Sequence, residues 1–111
     1  MAFEKSVNPA GVTIIRIAGQ LTVGNRQELK TLITEGLDRG ERRLLIDCTE
    51  TGYIDSSGLS ALVSVARKVR ELGGELRIAG LNDDLRSLFE LTKLDTLFPI
   101  SPTPAEALAG F

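Results

Sequence analysis

Histidine and tryptophan are absent from the 111-residue chain, and cysteine occurs once, at Cys48. Without histidine, no Ser-His-Asp or Cys-His nucleophile can be assembled within the chain. A zinc site with histidine ligands is excluded for the same reason. A single thiol can make neither a thiolate cluster nor an internal disulfide. No apolar run approaches the ~20 residues that span a bilayer. There is no basic stripe either. The 13 Lys and Arg are mixed with 15 Asp and Glu for a net charge of -2, a poor match to a phosphate backbone. The opening residues 1–6 lack the apolar core of a signal peptide. These absences predict a protein of the reducing cytoplasm that uses no cofactor, binds no nucleic acid and does not insert into a membrane. Composition leaves carboxylate chemistry with a hard cation open.

What is present reads as one α/β domain over residues 1–111, since this length supports one core and not two. Residues 3–7 are a candidate first strand. Asn8-Pro9-Ala10-Gly11 is a turn, and the β-branched run at residues 12–18 is a second strand. The turn predicts an antiparallel hairpin. Residues 19–24 read as a loop. Asn25 and Glu28 form a capping-box pattern ahead of Leu29, Leu32, Ile33 and Leu37, which predicts a helix ending near Gly40. Residues 43–48 are a strand whose continuous apolar centre predicts burial on both faces. A second helix carries Leu59, Leu62, Val63, Ala66 and Val69 and stops at Gly73-Gly74. A strand at residues 75–80 follows, then a short helix capped by Asn82. Residues 97–100 are a candidate edge strand. Thr103-Pro104-Ala105-Glu106 predicts the start of a short last helix. The alternation indicates a small mixed sheet, mostly parallel, with the first strand antiparallel at or near one edge.

The chain is organised around Tyr53-Ile54-Asp55-Ser56-Ser57-Gly58-Leu59, where a strand-to-loop segment turns into the second helix. The first turn of a helix has N–H groups without intrahelical partners. Asp and Ser cap such groups well, and the same geometry holds an anion. The stretch therefore reads either as a plain cap or as a place where a phosphate is put on. Asp55 can be the cap, or can position a serine hydroxyl. Gly58 can serve turn geometry, or let a partner approach the serine closely. Asp47 reads as a loop tie and Cys48 as core.

Residues 45–49 followed by Asp55-Ser56-Ser57-Gly58-Leu59 resemble the signature of STAS domains, and more narrowly that of bacterial anti-sigma factor antagonists. The resemblance covers nearly the whole chain. It implies a sheet wound as successive β-α turns. It also implies a regulator, not an enzyme. The unphosphorylated protein binds an anti-sigma factor that is a serine kinase, and so releases a sigma factor. The kinase phosphorylates the second serine of the motif, here Ser57, and a serine phosphatase resets the cycle. Thr22, Asp55, Ser56, Gly58 and Leu59 are the expected partner contacts, and a monomer is the expected state. One departure stands out: the family loop usually reads Gly-Glu-Leu-Asp, whereas here it is Gly19-Gln20-Leu21-Thr22. Two acidic positions are neutral. The alternatives are a STAS subunit regulating a membrane transporter, such as a lipid-trafficking ATPase, and a scaffold component of a stress-signalling assembly. In each case the loop at residues 19–24 and the motif should converge at one end of the sheet.

Overall fold

The computed structural model describes residues 2–111. A five-stranded sheet runs through its centre in the order β1 (Phe3–Val7), β2 (Thr13–Ile17), β4 (Arg43–Asp47), β6 (Glu75–Ala79), β7 (Ile100–Ser101). β1 and β2 form the expected antiparallel hairpin, with Phe3 opposite Ile17 and Val7 opposite Thr13. All other pairs in this sheet are parallel. Parallel neighbours require crossovers, and three helices provide them: α1 (Arg26–Asp38), α2 (Ser56–Glu71) and α3 (Asp83–Leu91). A fourth helix, α4 (Pro104–Ala109), closes the chain.

Side chains alternate across a strand, and β4 shows how the sheet uses this. Leu44 and Ile46 join the large core with Leu29, Ile33, Leu62, Val65 and Val69 of α1 and α2. Leu45 points the other way, into a smaller cluster with Val12, Ala79 and Ala107 under α4. All three residues are fully buried, as the unbroken apolar run predicts. Each such side chain contributes roughly 1.5–3 kcal/mol relative to exposure. α4 is held at its end by Arg77, which donates to the Gly110 carbonyl at 2.7 Å and stacks 4.5 Å from the centroid of the Phe111 ring.

Three expectations are corrected. Residues 19–24 are not all loop. Gly19–Leu21 forms a strand, β3, that pairs in parallel with β5 (Thr51–Ile54) as a separate two-stranded sheet. Gly19 has φ 87°, which turns the chain out of β2 into β3 and favours a residue without a Cβ. The edge strand is shorter than residues 97–100 and begins only at Ile100. Phe98 is drawn into the core against Phe89, with ring centroids 6.1 Å apart, and only Ile100–Ser101 pairs with β6. Finally, the Asn25 side chain does not cap α1; its partners are described below.

One ion pair sits at the edge of the sheet. Lys5 on β1 lies 3.1 Å from Glu41, which precedes β4, and both side chains are about one-fifth exposed. Burial pushes the Glu41 carboxyl up, but the hydrogen bond and positive charge of Lys5, with help from Arg39, outweigh it and hold the group below its ordinary 4.5. A carboxyl depressed in the folded state contributes stability that is present above the unfolded pKa and is lost as pH falls through the folded one. Glu41→Gln should therefore lower stability at neutral pH and flatten the decline below about pH 4.5. Urea midpoints for both proteins across the acid range check this. Parallel pH profiles would show that Glu41 carries no such linkage.

Candidate functional site

β5 delivers the motif to one end of the small sheet, with Ile54 in register with Leu21. The Asp55 backbone N–H donates to the Leu21 carbonyl at 3.1 Å. Asp55 then leaves the strand in extended conformation, φ -87° and ψ 179°, and becomes the N-cap of α2. Its two carboxylate oxygens are both used. Oδ1 accepts from the Gly58 N–H at 2.7 Å, which satisfies one orphan donor of the first turn. Oδ2 accepts from the Val23 N–H at 3.1 Å, across a sequence separation of 32. One side chain thus caps the helix and ties it to the neighbouring loop. The cap role considered for Asp55 is the one observed. Both of these bonds go to backbone N–H groups and neither to the Ser57 hydroxyl.

The loop is held from its own side as well. Asn25 Oδ1 accepts from the Thr22 N–H at 2.9 Å, and Asn25 Nδ2 donates to the Gln20 carbonyl at 2.9 Å. The Asn25 side chain is committed to this brace, which is why it leaves α1 uncapped. Thr22 Oγ1 accepts from the Gly24 N–H at 3.2 Å. Thr22, at the position where an acidic residue is usual in the resembled motif, therefore stabilises the turn. The loop and the motif are brought together, as expected from two successive parallel strands.

The motif residues divide by depth. Ser56 is the first helical residue and is exposed; Ser57 is the second and is half-buried. Leu59 is half-buried. Gly58 is buried, and a Cβ there would meet the Leu21 carbonyl oxygen at 2.5 Å and the Ile54 and Leu21 side chains at 2.9 and 3.0 Å. The small size of Gly58 serves the approach of α2 to β3. A groove of about 770 Å³ runs from Ser56 along α2 past Leu59, Ser60, Val63 and Ser64 to Leu94. Ser56 lines it, whereas Ser57 does not.

The nearby groups are chemically quiet. Burial pushes the Cys48 thiol up to about 12, so it stays protonated and inert. Asp47 accepts from the Thr49 N–H at 3.0 Å and lies 3.6 Å from Arg16, which ties down the turn before β5. Among the described residues, no group of three His, Cys, Asp or Glu side chains is placed to hold a metal. No described helix is long and apolar enough to cross a membrane. Sequence reasoning missed Val23 and gave Asn25 another role. Asn25 was masked by its own capping-box pattern. Val23 carries no motif, and only its exposure, 67%, marks it; Tyr53 opens the motif and is 56% exposed.

Comparison with known proteins agrees with this geometry. The chain is 31% identical over 101 residues to BtrV of Bordetella bronchiseptica, assigned as an anti-sigma factor antagonist, spanning 91% of this chain and 87% of that one. It is 29% identical over 87 residues to the anti-sigma-B factor antagonist of Staphylococcus aureus, spanning 78% and 81%. The fold matches the Bacillus cell fate determinant SpoIIAA in its phosphorylated form with a TM-score of 0.78 at 18% identity, covering 97% of each chain. The unphosphorylated form of SpoIIAA, an anti-sigma factor antagonist, matches with a TM-score of 0.76. The STAS domain model matches residues 5–107, a span that runs from within β1 into α4 and includes the capped serine turn; the chain belongs to the STAS domain family.

Proposed function

We propose that this protein is an anti-sigma factor antagonist that works by partner switching in the cytoplasm. Unphosphorylated, it binds a serine-kinase anti-sigma factor, and a sigma factor is released. The kinase transfers phosphate to Ser57, and the modified protein lets go. A serine phosphatase restores the binding form. The protein acts as a monomer and catalyses nothing itself; the kinase brings nucleotide and metal.

The observation that carries this reading is the placement of Ser56 and Ser57 in the first turn of α2, beside a loop clamped to the same turn by Asp55. A phosphate adds about -1.5 to -2 charges and strong acceptors. The positive end of α2 tolerates it locally, whereas a partner surface fitted to a neutral hydroxyl does not. The switch then requires no refolding. The names of the curated relatives support the antagonist role, and the existence of a phosphorylated SpoIIAA supports modification on this fold.

The test is a binding titration against each purified serine-kinase anti-sigma factor of the source organism. One of them should bind the unphosphorylated protein and release it on phosphorylation, with affinity falling at least about tenfold. Absence of binding by every candidate would remove the antagonist role. Equal affinity before and after phosphorylation would remove the switch.

A further inference from the structure

We infer that the partner is recognised through an uncharged surface anchored by Val23 and Tyr53, and not through the ion pairs that an acidic loop would offer. This inference rests on the proposed function and names the chemistry of its interface. Residues 17–25 contain no charged side chain, and residues 51–66 contain one, Asp55, in a chain that is 25% charged. Asp55 spends both carboxylate oxygens on the Gly58 and Val23 N–H groups. These two stretches therefore present backbone, hydroxyls and apolar side chains, and the first charges past the loop are Arg26 and Glu28 in the opening turn of α1. The nearest flanking charges before the motif are engaged with each other: Arg16 lies 3.6 Å from Asp47 and 3.6 Å from Glu50. At the far end of the groove, charge returns with Arg67, Lys68 and Glu71.

Within this surface two large apolar residues stand out. Val23 is held at the loop tip by its N–H bond to Asp55 and is 67% exposed; Tyr53 lies two residues before Asp55 on β5 and is 56% exposed. Tyr53 is fixed by strand pairing opposite Gln20, and Val23 by its N–H bond to the Asp55 carboxylate, before any partner arrives, which lowers the backbone ordering cost that flexible anchors incur. Aromatic and apolar anchors in a fixed setting are what binding hot spots are made of. A charged partner patch would be desolvated here without compensation. The matching surface on the anti-sigma factor is therefore apolar and uncharged opposite Val23 and Tyr53.

The anti-sigma factor that binds in the titration above serves as the probe. Raising salt from about 0.1 to 1 M shortens the screening length from ~10 to ~3 Å; Kd should change by less than about threefold, whereas an interface built on ion pairs weakens steeply. Val23→Ser and Tyr53→Ser should each weaken binding about tenfold or more. Val7→Ser and Leu72→Ser remove apolar side chains that are also exposed, but lie on β1 and at the far end of α2. They should change Kd less than about twofold. Thermal melts matching wild type keep the comparison to binding. Steep salt dependence, or full affinity in both Val23→Ser and Tyr53→Ser, would overturn the inference and leave the antagonist role standing. A wild-type protein that binds no anti-sigma factor would overturn the antagonist role, and the inference with it.

Discussion

Ser57→Ala is expected to take up no phosphate from the anti-sigma kinase while keeping the fold and the affinity for that partner. The structural cost is small because Asp55, and not a serine, caps α2. Ser57 occupies the second helical position, where alanine is a better helix former than serine. A stability change within about 0.5 kcal/mol follows for a substitution that touches no cap or core feature. Exposure alone would select Ser56, which is exposed and lines the groove, over Ser57, which is half-buried. The choice of Ser57 comes from its place directly before Gly58 in the resembled motif. The two sites are separable by experiment. Phosphopeptide mapping after incubation with the kinase and ATP should place the phosphate on Ser57 in wild type and in Ser56→Ala, and nowhere in Ser57→Ala. Ser57→Asp should bind less tightly than wild type, although one charge on a short side chain imitates phosphate incompletely. Phosphate on Ser56 would reverse the assignment.

Much of the fold is legible because its long elements carry strong, mutually consistent local signals. The hairpin has its Asn-Pro-Ala-Gly turn. β4 has an unbroken apolar centre and is buried on both faces. Asn82 and Thr103 cap α3 and α4, accepting from the Leu85 and Glu106 N–H groups, as the sequence predicts. The small sheet of β3 and β5 is a different case. Three and four residues, two of them glycine, offer too short an alternation to distinguish from loop. Their pairing is also non-local, between segments that follow the parallel neighbours β2 and β4 in the chain. The shortening of the last strand has a similar cause: burying Phe98 against Phe89 outweighs extending the ladder from Leu97.

Within the site, the motif was visible but its internal division of labour was not. Asn25 followed by Glu28 fits a capping box, yet the Asn25 side chain bonds Gln20 and Thr22 instead. Local preference proposes a cap; the loop offers the same amide both a donor and an acceptor, and wins. Asp55 is legible as a cap because that role is local. Its second bond, to Val23, spans two strands and has no signature in the one-dimensional pattern. Gly58 shows the same limit, since only the packing of α2 on β3 reveals what lies opposite its missing side chain.

Gly58→Ala should destabilise the protein, against the usual gain from replacing a helical glycine. In an exposed helix interior, alanine is favoured over glycine by about 1 kcal/mol. Here the added Cβ would lie 2.5 Å from the Leu21 carbonyl oxygen, 2.9 Å from Ile54 and 3.0 Å from Leu21 Cγ. The nearest of these is backbone in β3, so the contact cannot be relieved by a rotamer change. α2 must move away from the strand, and overpacking of this kind costs roughly 1–3 kcal/mol. Leu21 and Ile54 are both buried, at 0% and 3% exposure, which leaves little room for them to yield. The cost exceeds the helix gain over most of that range, and Gly58→Val adds two methyl groups and loses part of the gain. Stability should therefore fall in the order wild type, Gly58→Ala, Gly58→Val. The same movement strains the Asp55 bond to Val23, because it crosses the gap between α2 and the loop. Phosphorylation of Ser57 by the kinase should slow in Gly58→Ala at temperatures where the variant remains folded. Denaturant midpoints and initial rates of phosphate transfer measure the two effects. A Gly58→Ala protein as stable as wild type and phosphorylated at the same rate would show that α2 has freedom to slide on β3, and that Gly58 is not what sets their approach.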